Sequence, residues 1–101
     1  MPILVVSVTP KEGQQQAIID VFASIANDVH AEPGCEFYAL HKTDDKVVLV
    51  EKWNDDHALD VHRTAPSLLK LRAETADLVS EPWDIKFLTP LPLGDETKGA
   101  L

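Results

Sequence analysis

Cysteine is almost absent from this sequence. Its one thiol, Cys35, has no internal partner, so no disulfide framework holds the chain and nothing in it asks for an oxidising compartment. Basic residues are scarce too: nine Lys and Arg stand against 17 Asp and Glu, for a formal net charge of −8. That charge repels a polyanionic backbone, and the basic residues are scattered rather than gathered into a stripe with interleaved aromatics, so nucleic acid is not an expected partner. Long apolar runs are missing. The opening Met-Pro-Ile-Leu-Val-Val-Ser has no basic leader, and its apolar stretch is too short for a signal segment or a membrane span. The expectation is a cytoplasmic protein with no membrane partner.

Chemical motifs are equally thin. No G-x-G-x-x-G and no phosphate-binding loop occurs, so flavin or nicotinamide has no visible site, and no cofactor is expected. His57 and His62 are five residues apart, which sets them roughly 140° apart around a helix, while His30 and His41 fall on other elements. No metal site is expected from them. Cys35 has no neighbouring signal of activation and suits a small core residue better than a nucleophile.

What is present is an ordinary globular composition, 45% hydrophobic and 26% charged, without repeats or low-complexity tracts. A 101-residue chain makes one domain, which alone buries only about 60 to 65% of its extended surface. A partner would improve that balance.

Ile3 to Val8 is short and β-branched, which predicts a strand. Thr9, Pro10 and Glu12 resemble a helix start, with Thr9 as cap, Pro10 in the first position and Glu12 completing a capping box. Ala17, Ile18, Val21, Phe22, Ile25, Ala26 and Val29 then lay one apolar face along a helix to about His30, stopped by Glu32-Pro33-Gly34. Cys35 to Lys42 and Val47 to Trp53 form a hairpin across Thr43-Asp44-Asp45-Lys46. A two-residue loop pairs Leu40 with Leu49, Tyr38 with Glu51 and Glu36 with Trp53 on one face, leaving Phe37, Ala39, His41, Val48 and Val50 on the other. Asn54 caps a short helix over about 55–63, a second helix runs from about Pro66 to Leu78, and Trp83 to Thr89 alternate as a last strand.

This βαββααβ order places both crossovers on one side of a four-stranded antiparallel sheet, a ferredoxin-like α+β fold. Residues 1–89 form the domain and 90–101 an arm or tail. The first and third strands are apolar on both faces, so the sheet face without helices wants cover. A homodimer through sheet faces supplies it; the alternative is the arm from Pro90 folding back.

Pro33-Gly34-Cys35-Glu36-Phe37-Tyr38-Ala39-Leu40, Glu51-Lys52-Trp53-Asn54-Asp55-Asp56-His57-Ala58-Leu59 and the following His62 resemble the antibiotic biosynthesis monooxygenase (ABM) family across about residues 2 to 89. The resemblance implies a dimeric α+β barrel with one pocket per subunit between helices and sheet. It also implies one of several chemistries, since family enzymes include cofactor-independent oxygenases of quinols and anthrones, haem degraders and an isomerase. The haem-degrading set is a strand-one Asn, a Trp on the first paired helix and a His about ten residues on. It falls here at Val6 or Ser7, at His62 and near Arg72, and is missing.

His62 is the leading catalytic candidate, because neutral imidazole takes a proton from an acidic phenol or enol and hands it on; it can equally be a satisfied core or rim histidine. Glu51, the second catalytic candidate, and Tyr38 can orient a substrate hydroxyl or the imidazole, or simply bond each other. Trp53 offers a stacking wall or plain core, Phe22 helps enclose a dry pocket, and Arg72 either attracts an anion or sits on a solvated face. The leading expectation is a cofactor-independent monooxygenase joining dioxygen to an electron-rich aromatic such as a hydroquinone or anthrone. A cofactor-free isomerase of a small metabolite and a non-catalytic dimeric ligand-binding module are the alternatives.

Overall fold

A computed structural model describes residues 1–101. The elements follow the expected order: β1 (Ile3–Val8), α1 (Gln15–His30), β2 (Cys35–Lys42), β3 (Val47–Trp53), α2 (Asp56–Arg63), α3 (Pro66–Thr75) and β4 (Asp84–Leu88). The four strands form one antiparallel sheet in the order β2-β3-β1-β4, the ferredoxin-like α+β arrangement, and the sheet is open. All three helices cover one face.

Core formation follows the apolar periodicities. Ile18, Phe22, Ile25 and Val29 of α1 are buried against Leu4, Val6 and Val8 of β1 and Val47, Leu49 and Trp53 of β3. At about 1.5 to 3 kcal/mol for each large apolar side chain fully removed from water, this layer is the main stabilising contribution. Leu68, Leu71 and Thr75 add the inner stripe of α3.

The hairpin register holds at Leu40↔Leu49 and Tyr38↔Glu51 but not at its open end. A bulge between Cys35 and Phe37 puts Cys35, not Glu36, opposite Trp53 and turns Glu36 out to solvent. The outer face therefore carries Phe37, Ala39, Val48 and Val50, half-buried. At one end of it the arm does fold back: Lys52 Nζ donates to the Leu101 carbonyl at 2.9 Å, and Ile3 beside it is 3% exposed.

The α1 start departs from the local signal. The helix begins at Gln15, after Gln14, which gives no side-chain cap. Thr9 is engaged elsewhere, donating to Glu81 and accepting from Lys46 Nζ, each at 2.9 Å. Its carbonyl accepts the Ser80 amide at 2.9 Å, and the Lys11 amide donates to Leu78 O at 2.8 Å. These ties to residues 78–80, with the bridge from Pro10 to Val79, keep the segment extended. They also draw the chain out after Thr75, so α3 stops short of Leu78. No helix is long and apolar enough to cross a membrane.

Candidate active site

Tyr38 and Glu51 face each other across β2 and β3 on the helix side of the sheet, 7% and 6% exposed. Above them α2 is anchored by Asp55, whose side chain accepts the Ala58 amide at 2.8 Å and so satisfies an end donor. Asp55 rather than Asn54 is the cap. The helix phase set there turns Ala58, Leu59 and His62 inward. The His62 ring, 3% exposed, lies 4.6 Å from the Trp53 ring centroid and meets Tyr38 edge-on at 5.8 Å.

The partner of His62 comes from the turn after α1. Glu32 places a carboxylate oxygen 2.9 Å from Nδ1, and its other oxygen accepts the Ser67 hydroxyl at 3.0 Å. A carboxylate only accepts, so Nδ1 carries the hydrogen and the neutral ring presents its lone pair at Nε2. No buried side-chain nitrogen or oxygen lacks a hydrogen-bond partner. Nε2 has no protein partner and therefore opens onto the cavity that His62 lines. By the same reasoning the Tyr38 hydroxyl and the second Glu51 oxygen open there too. The first Glu51 oxygen accepts the Trp53 indole N–H at 2.9 Å.

Electrostatics sharpen these roles. Burial pushes the Glu51 carboxyl above the usual carboxylate range, against the opposing pull of the Trp53 hydrogen bond and of His62. Burial, and next the Glu51 charge, hold the Tyr38 phenol firmly protonated. Burial likewise pushes up the Cys35 thiol, away from nucleophilic thiolate. The cavity thus sets one open base, Nε2, over a firmly protonated phenol and a carboxyl group whose hold on its proton is strengthened by burial.

That cavity measures about 340 Å³ and is mainly apolar, the size of a small-molecule site. Leu4, Val6, Leu59, Leu68 and Ile85 line it, with Trp83 and Phe87 as aromatic walls and Arg63 and Arg72 beside them. Of the residues singled out from sequence, Tyr38, Glu51, His62 and Arg72 come together here. Trp53 and Phe22 do not line it. Trp53, 0% exposed, is sealed beneath His62, and Phe22 stacks behind Trp83 with centroids 6.2 Å apart. The flat wall is Trp83. Glu32, not Glu51, sets the His62 ring; in the sequence Glu32 reads only as part of a helix stop, 30 residues from its partner. Ser67, Arg63 and Phe87 were likewise unmarked, and only the inward alternation of the last strand hinted at Phe87. No three His, Cys, Asp or Glu side chains cluster closely enough to hold a metal ion.

The profile of the family described as antibiotic biosynthesis monooxygenase matches residues 1–74. The chain belongs to the antibiotic biosynthesis monooxygenase family. A Mycobacterium tuberculosis relative named as a candidate monooxygenase, Rv0793, is 31% identical over 84 residues, covering 81% of this chain and 83% of the relative. The solved Rv0793 structure matches with a TM-score of 0.81 at 29% identity, over 90% and 96% of the two chains. PA3566 of Pseudomonas aeruginosa matches at 0.80 and 26% identity, over 89% and 94%. A Nitrosomonas europaea structure named for the ABM family reaches 0.84 at 19% identity, covering 90% and 99%, which speaks for the fold. Glu32, Tyr38, Glu51, His62 and Arg72 all lie inside the ABM match, whereas Trp83, Ile85 and Phe87 lie beyond it. Of the two strand-one positions compared with haem-degrading ABM proteins, Val6 faces the cavity and Ser7 the opposite side.

Proposed function

We propose that this ABM-family protein is a cofactor-independent monooxygenase that acts on an electron-rich aromatic, a hydroquinone or an anthrone. The observation that carries the reading is His62, held at Nδ1 by Glu32 with Nε2 open to an apolar cavity. Nε2 takes a proton from the acidic C–H or O–H of the bound substrate. The anion gives one electron to dioxygen, and the resulting radical and superoxide join in a carbon–oxygen bond. The imidazolium returns its proton to the peroxide, and loss of water leaves a new carbonyl. One oxygen atom enters product and the other leaves as water; all four electrons come from the substrate carbon, so no external reductant is required. Leu4, Val6 and Trp83 keep bulk water from the anion, and the Tyr38 hydroxyl donates to the substrate oxygen on which charge develops.

We further propose that two copies pair through their outer sheet faces to form the barrel, and that the protein works in the cytoplasm, where its free thiol stays reduced. A second reading, proton-shuttling isomerisation, is favoured by one feature: an open base on α2 faces the protonated Tyr38 phenol and the buried Glu51 carboxyl across one cavity. Product mass separates the two, because oxygenation adds an atom and isomerisation does not.

The deciding experiment is oxygen uptake by the metal-stripped protein on a panel of hydroquinones and anthrones, beside His62→Ala and a protein-free autoxidation control. Uptake that survives chelation and falls about 100-fold or more in the variant supports the oxygenase. Uptake no faster than autoxidation across the panel removes it.

A further inference from the structure

The sequence contains only two arginines, Arg63 and Arg72, and both line this one cavity while none of its lysines does. In a chain of net charge −8 that placement concentrates positive charge at a single site. The two arise from different helices, α2 and α3, and converge on the same edge of the sheet. Arg72 Cζ lies 4.8 Å from the Trp83 ring centroid and Arg63 Cζ 5.9 Å from that of Phe87. Face stacking on a ring leaves the N–H donors of a guanidinium free in its own plane. Arg72 has no ion pair in the structure, and Arg63 has only a long, exposed one, 3.4 Å to Asp60.

Depth orders the cavity. His62 and Glu51 lie at its buried end, whereas both arginines are exposed. A ligand carboxylate would lose its hydration at the buried floor and is welcome between the two guanidinium groups at the mouth, whose planar forks take a carboxylate in two parallel hydrogen bonds. Building on the oxygenase reading of this site, we infer that its substrate is a planar aromatic carrying a carboxylate at the end remote from the reacting ring. Arg63 and Arg72 receive that carboxylate at the mouth, while the aromatic ring extends inward along the apolar lining to His62.

The test is anaerobic binding, which involves no turnover. The full chain is titrated with an anthraquinone carboxylate and with its carboxamide, an uncharged ligand of nearly the same shape, by calorimetry and tryptophan fluorescence quenching. The carboxylate is expected to bind about tenfold more tightly, with the preference weakening as salt is raised. The double variant Arg63→Gln/Arg72→Gln, whose two sites are exposed and whose fold is checked by circular dichroism, is expected to lose the preference while holding the amide as before. Arg72→Lys, which keeps charge but not the stacked fork, falls between. Equal binding of the two ligands, no binding of either, or a preference retained by the double variant overturns the inference. Oxygen uptake on an uncharged hydroquinone is measured separately: its absence beside an intact carboxylate preference removes the oxygenase and leaves the arginine clamp standing.

Discussion

Glu51 is a carboxyl group held beneath helices with one oxygen on the Trp53 indole, and it keeps its proton to higher pH in the folded chain than in the unfolded one because burial disfavours the charged form. Between the ordinary glutamate range and that raised value the folded state binds the extra proton, so this group's contribution to stability falls as pH rises through the window. Glu51→Gln retains an acceptor for the indole and has nothing to ionise. Thermal melts are expected to show the variant near wild type at about pH 4 and ahead of it at about pH 8; a gap that stays constant with pH would remove Glu51 as a buried acid. Glu32 acts differently, through His62. Its replacement by Gln takes away the charge that fixes the Nδ1–H tautomer and stabilises the imidazolium, so under the proposed mechanism kcat should fall about 10- to 100-fold with KM little changed. Nitrogen NMR of the His62 ring checks the cause, since a purely structural role for Glu32 would leave the tautomer as it is. Glu51 and Tyr38 were legible in the sequence because a hairpin register is local arithmetic. Glu32 was not, because the contact that gives it meaning joins a turn to a helix 30 residues away and has no periodicity to announce it.

At the scale of elements, the turn from α1 into β2 decides whether Glu32 and the sheet reach their places together. Gly34 adopts a φ of +82°, and a Cβ there would lie 2.5 Å from both Ala58 Cβ and Asn54 Oδ1, while its carbonyl accepts the Asn54 amide at 2.8 Å. The Pro33-Gly34-Cys35 opening thus packs directly against the start of α2, which explains why glycine stands there. Gly34→Ala combines left-handed backbone strain with a clash against a helix anchored by Asp55, and about 2 kcal/mol or more of stability is expected to be lost, read as a lower urea midpoint with little change in slope. An unchanged midpoint would mean that α2 shifts freely to make room. The hairpin, both inner stripes and the element order were readable because each rests on spacing within one segment. The start of α1 was misread for the opposite reason: Thr9, Pro10 and Glu12 carry a good local cap signal, but pairing with 78–80 satisfies the same backbone groups and wins. The bulge at Cys35 to Phe37 was hidden too, and it sets Cys35 rather than Glu36 opposite Trp53.

The whole molecule exposes more surface than its mass warrants. Its 6347 Å² compares with about 5,700 Å² for a monomer of 11.1 kDa, and its Cα radius of gyration of 14.1 Å with about 12.7 Å for a compact chain of this length. Part of the excess is the arm, where Leu91 and Leu93 are 74% and 77% exposed, and part is the outer sheet face with Val5, Val48 and Val50 half-buried at its middle. The arm covers the Ile3 and Lys52 end of that face and leaves the rest open, so folding back does not remove the need for cover. Light scattering on the eluting protein is therefore expected to give twice 11.1 kDa, and Val50→Lys, at the centre of the outer face, to give a folded monomer. Because Val50 points away from His62 and the cavity, anaerobic binding of an aromatic ligand should survive in that monomer if each subunit holds a complete pocket. A single-chain mass for the unaltered protein would sink the pairing, and loss of binding in the Val50→Lys monomer would show that the partner helps to close the site.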